Sequence, residues 1–134
     1  MIKREMDDGR VLDLSMDLVS GGVMVSMVCR YPEGKGKEDE RESFVMSPSE
    51  VSELIEGLSS GRAVIRALDG RCLAFCGLGV YSLISIATEG ESGLVPIISF
   101  PLREHEVRFV KIALENMADL LMSADRWSGD PDKW

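Results

Sequence analysis

One histidine, three cysteines, eight aromatic side chains and no long apolar run: each shortage in this chain excludes something. Three cysteines, Cys29, Cys72 and Cys76, are an odd count at spacings that fit reduced thiols in a cytoplasmic compartment, not a disulfide framework. Side chains repeat every two residues along a strand, so Cys72 and Cys76 share a face. The sole histidine, His105, is far from them in the chain, so the close Cys/His grouping of a four-ligand metal site is missing and no cofactor is expected. No apolar run approaches the roughly 20 residues of a membrane helix. The segment Met1 to Asp8 lacks the apolar stretch of a signal peptide, so export is not expected.

Catalytic motifs are absent as well. There is no G-x-x-x-x-G-K-[ST] loop and no H-E-x-x-H, and Gly77-Leu78-Gly79 lies between two strands rather than opening a helix. His105 has no evident nucleophile partner, and Cys72 or Cys76 would need a base beside it. The chain reads as a non-enzyme.

What is present is a fold stated twice. With 134 residues, 45% hydrophobic and 28% charged, the chain is one ordinary globular domain with a real core. Leu12, Leu14, Met16 and Leu18 alternate with Asp13, Ser15 and Asp17, a half-buried strand. Gly21-Gly22 reads as a turn, and Val23, Val25, Met27 and Cys29 alternate as the returning strand. Pro32 to Glu40 is a charged loop, and Glu42 to Met46 a short strand. It runs into Ser47-Pro48-Ser49-Glu50, an S-x-x-E capping box with Pro at the first helical position. Val51, Leu54, Ile55 and Leu58 line one face of that helix, and Gly61 stops it.

The second half repeats the order. Arg62 to Leu68 and Arg71 to Gly77 flank Asp69-Gly70, a hairpin signal. Val80 to Thr88 and Leu94 to Leu102 follow, the latter carrying Pro96 and Pro101 and therefore expected at an edge or bulged at Pro96. A long helix then runs from about Arg103 to Ser123. Val107, Val110, Leu114, Met117 and Leu121 form its core stripe, and Phe109, Ile112, Ala113 and Leu120 widen it. A stripe that wide calls for the first helix or a second subunit. The reading is α+β: ββββα twice, repeat one spanning about 1–60 and repeat two about 61–125, in a single domain of 1–127. In repeat one the extra strand must come from the acidic segment 1–10. Residues 128–134 form an acidic tail.

The net charge of −8 argues against a protein that simply coats itself with phosphate contacts. Its distribution is uneven, however. From Arg62 to Thr88 the chain holds Arg62, Arg66 and Arg71 against one acid, Asp69.

The junctions Ser43 to Ile55 and Ile98 to Leu114, with the closing run Leu120 to Trp127, resemble Whirly-like proteins. That superfamily includes plant Whirly proteins, positive-cofactor-type coactivators, trypanosome mitochondrial RNA-binding proteins and archaeal single-stranded-DNA-binding proteins. The resemblance covers most of the chain at the level of pattern. It implies curved antiparallel sheets exposing a face to single-stranded DNA or RNA, helices packed in an oligomer core, and binding by base stacking and a positive groove with low sequence specificity. Carried onto this sequence, it makes Tyr31 and Tyr81 the stacking candidates, with Phe44, Phe75 and Phe100 weighed as core. Arg62, Arg66 and Arg71 become the phosphate contacts. Arg62 and Arg66 share one strand face, about 13 Å apart, and Arg30 adds to the same face. The tail, as in other single-strand binders, screens these arginines or recruits a protein partner. The competing expectation is an acidic, homo-oligomeric protein-interaction module on the same fold.

Overall fold

Alternation of apolar and polar residues builds two sheets, and the computed structural model describes residues 1–34 and 36–128, with side chains through residue 123. β1 (Ile2–Glu5), β2 (Val11–Val19), β3 (Gly22–Arg30) and β4 (Glu40–Met46) form one antiparallel sheet in that order and lead into α1 (Pro48–Ser60). β5 (Arg62–Arg66), β6 (Arg71–Gly77), β7 (Tyr81–Gly90) and β8 (Gly93–Arg103) form the second and lead into α2 (Glu104–Ser128). The fold is α+β, ββββα twice. Among the described residues no helix is long and apolar enough to cross a membrane.

Each sheet has an inner face turned to the helices and the other sheet. Leu12, Leu14, Val23, Val25, Met27, Phe44 and Met46 line the first, and Ile65, Leu73, Phe75, Ile84, Ile86 and Phe100 the second. Phe44, Phe75 and Phe100 are buried to within 2% exposure, which makes them core and removes them as stacking platforms.

The first hairpin turns one residue earlier than the glycine pair suggests. Val19 pairs with Gly22, so Ser20 and Gly21 form the turn and Gly22 already belongs to β3. Gly22 is needed there for packing: a Cβ would lie 2.1 Å from the Met46 carbonyl oxygen. β8 is both an edge strand and bulged. Ile86 pairs with Ile98 but Ala87 with Pro96, which leaves Ile97 unopposed where proline cannot extend the ladder.

The helices are set by their ends. The Ser47 hydroxyl accepts from the Glu50 N–H at 3.3 Å, and the Glu50 carboxylate accepts from the Ser47 N–H at 2.9 Å. Gly61 closes α1 at φ 96°. Val110 and Leu114 of α2 are fully buried, whereas Phe109, Ile112 and Leu120 remain exposed with α1 already packed against the core side of the helix.

The two halves are also clipped together. Arg4 stands opposite Leu12 on the inner face of β1. It donates to the Glu106 carboxylate and to the Pro101 carbonyl at 3.3 Å, and its guanidinium lies 5.8 Å from the centre of the Phe100 ring. β1 is therefore a strand despite its polar sequence, held at both sides.

Candidate nucleic-acid interface

Strand parity decides where the arginines point. Arg62 and Arg66 both lie on the outer face of β5, opposite Cys76 and Cys72, as their spacing requires. Arg71 does not join them. It pairs opposite Thr88 in the inner-face row of Leu73 and Phe75, and its guanidinium reaches Glu42 of β4 and Asp69, each at 3.2 Å. It is a strut between the sheets. The signal was in the sequence: Arg71 stands two and four residues before Leu73 and Phe75, and so shares their face.

Arg30 departs from expectation in a different way, because it belongs to the outer face of the first sheet and not to that of Arg62 and Arg66. There it pairs with the buried Asp13 carboxylate and lies 4.0 Å from Asp39. Arg66 is likewise held, by Glu89 at 2.5 Å. Of the four arginines singled out, Arg62 alone forms no ion pair among the described residues.

The two tyrosines, by contrast, are brought onto one groove. Near Tyr31 a depression of about 310 Å³ is lined by Asp8, Arg10, Pro32 and Lys37. It shares Arg10 with a cleft of about 550 Å³ between the open end of the first sheet and β7–β8 of the second. That cleft shares Met6, Tyr81 and Pro101 with a third depression of about 280 Å³ that reaches Arg4 and Arg103. These adjoining depressions form a groove line that leads from Tyr31 to Tyr81 along the junction of the sheets, with Asp7, Asp8 and Glu5 also in its lining. Arg10, Lys37 with Glu40, and Arg103, which line it, come from three segments distant in sequence, so no local pattern brings them together.

The tyrosines differ in how they are held. The Tyr31 hydroxyl donates to Glu40 at 2.8 Å, and Lys37 sits 5.0 Å from the ring centre. The bond to Glu40, with burial and neighbouring Cys29, pushes the phenol up to about 12. Tyr81 is 45% exposed at the other end, on the outer row opposite Arg103. Arg10 is kept charged by Asp8, 2.7 Å from its Nε, which raises its pKa.

Small polar residues mark the middle of both outer faces. Ser26 and Ser43 are paired at 3.2 Å in the first sheet, and Ser85 and Ser99 at 2.7 Å in the second. Around them the first sheet is charged and the second largely apolar. Cys72 is buried and Cys76 exposed on the second outer face, both as free thiols. Burial and the Glu89 carboxylate raise the Cys72 thiol. Among the described residues no group of three or more His, Cys, Asp or Glu could hold a metal ion. The acidic tail expected over 128–134 begins at Ser128, the last residue of α2, and its residues 129–134, with the screening of the arginines, lie outside the described residues.

No protein-family model matches this chain, and neither does any curated protein. A solved structure of Trypanosoma bruciei MRP1/MRP2 is similar to it, with a TM-score of 0.60 over 96% of this chain and 86% of that one, at 10% identity. At that identity the likeness is one of fold, and the two share the architecture of paired strand-rich units and helices.

Proposed function

We propose that this chain is a non-enzymatic, single-stranded nucleic-acid-binding protein of low sequence specificity, acting in the cytoplasm as a homo-oligomer through α2. The observation that carries the reading is the run of adjoining depressions from Tyr31 to Tyr81, with Arg10, Lys37 and Arg103 in their lining beside Glu5, Asp7, Asp8 and Glu40. An unpaired strand offers flat bases and a regular row of phosphates, which spaced aromatics and cations can take without reading sequence. A duplex keeps its base faces stacked inside. The similarity to the MRP1/MRP2 structure supports the fold that such a groove needs. The three free thiols support a reducing compartment. The exposed Phe109, Ile112 and Leu120 support a second copy on α2.

A second reading, an acidic protein-interaction module, is favoured by one specific observation: Arg30, Arg66 and Arg71 are each neutralised by carboxylates. Titrating the full chain with unstructured single-stranded DNA and RNA at rising salt separates the two. Nucleic-acid binding gives an affinity that falls steeply with salt, the slope counting the phosphates neutralised. No measurable binding at low salt to either strand leaves the protein-interaction reading.

A further inference from the structure

The cleft of about 550 Å³ between the sheets has chemistry that phosphate contacts do not require. Leu12, Leu83 and Ile97 give it apolar walls, while Arg10 and Glu40 place one cation and one anion in its lining. Glu40 follows Arg4, Leu12 and Cys29 across the first sheet in the inner-face row. Its position directs the carboxylate toward β8 rather than toward the outer face. Tyr31 is its hydrogen-bond partner, and a carboxylate has about four acceptor positions, so capacity remains for a ligand.

A carboxylate repels phosphate, so its presence beside an arginine selects for a group that donates to one and accepts from the other. Guanine does both from one end of a flat ring. Its N1–H and N2–H groups match the two carboxylate oxygens, and O6 accepts from a guanidinium. Adenine and cytosine put a ring-nitrogen acceptor beside their amino group, which meets the carboxylate unfavourably. Thymine and uracil offer one N–H between two carbonyls. We infer that the cleft is a guanine-capture site, in which Glu40 takes the N1–H/N2–H edge, Arg10 takes O6, and the ring lies against Leu83 and Ile97. The inference rests on the proposed strand-binding reading, which brings bases into the groove, and narrows it by giving one base a preferred seat.

The experiment uses the full chain and a thymine 15-mer with one central guanine. The comparison strands carry hypoxanthine, which keeps N1–H and O6 but lacks the N2 amino group, or thymine throughout. The guanine strand is expected to bind about tenfold tighter than either. Glu40→Gln abolishes the gap between the guanine and all-thymine strands, whatever its effect on the affinity common to both. Arg10→Gln narrows it through a residue that makes no hydrogen bond to the Tyr31 hydroxyl, so loss of the Tyr31–Glu40 bond cannot explain both variants. Equal affinity for all three strands overturns the capture site and leaves strand binding standing. Binding of GMP over IMP with no strand bound keeps the site and removes the strand reading. Binding of neither strands nor GMP overturns both.

Discussion

The two sheets have one topology and two surfaces. At matching positions they agree wherever the core is concerned: Phe44 and Phe100, Met46 and Leu102, Leu14 and Leu73, Val25 and Ile84 are all buried. The helices follow, with Leu54 and Leu58 of α1 answered by Val110 and Leu114 of α2 at the same sequence offsets from Phe44 and Phe100. Outer faces diverge. The first carries Lys3, Asp13, Asp17, Arg30 and Arg41 among Val11, Met24 and Val28, and the second Val64, Ala74, Cys76, Leu83 and Ile97 with Arg62, Arg66 and Arg103 toward its margins. Burial constrains a residue from every side, whereas an outer row answers only to solvent and ligand, so a duplicated unit holds its inner rows and spends its outer ones.

The helix starts differ in a more telling way. Glu50 and Glu106 both reach back to the N–H three residues earlier. In α1 that earlier residue, Ser47, caps the helix with its hydroxyl. In α2 it is Arg103, and the tie comes instead from Arg4 of the other half.

The comparison is broken most severely at the matched phenylalanines. Phe44→Ala and Phe100→Ala should each cost about 3–5 kcal/mol, and urea denaturation should give similar losses. A much cheaper change in one half would show that half to be loosely packed. The next effect separates the helix starts. Arg4→Met removes charged hydrogen bonds and should cost about 2 kcal/mol, against about 1 kcal/mol for Ser47→Ala. Acid sharpens this contrast. Burial pushes the Glu106 carboxyl up, but the Arg103 N–H and the Arg4 guanidinium more than offset it, and its pKa is lowered. Its stabilisation is therefore present above the ordinary carboxylate range and lost as pH falls through the lowered value. Thermal melts of Glu106→Gln should show a shallower acid limb than the parent; an unchanged limb would contradict the assignment. The smallest effect is spectroscopic. Ultraviolet titration should show Tyr31 ionising at about 12, and Glu40→Gln should bring it down toward 10.

How much of this was legible beforehand depended on how local the cause was. The S-x-x-E box, the Asp69-Gly70 hairpin and the alternation of β2 and β3 are decided within a few residues, and they read correctly. The bulge at Pro96 was legible because proline removes its own donor. β1 was inferred only by counting, since Lys3, Arg4 and Glu5 hide a strand whose inner residue is an arginine paired across the fold. Arg71 looked like surface for the same reason: charge suggested solvent, while its parity with Leu73 pointed inward. The groove was the least legible part. Tyr31 and Tyr81 could be named as exposed aromatics, but their common groove depends on how the sheets meet, which no stretch of sequence contains.

Arg4 and Arg71 make contacts in opposite directions, the first half reaching Glu106 of the second and the second reaching Glu42 of the first. The reciprocity makes each half a specific receptor for the other. Cleaving the chain between Gly61 and Arg62 would yield two fragments that each carry one arginine and one carboxylate for the other, contacts through which they would reassemble as a heterotypic pair when co-expressed.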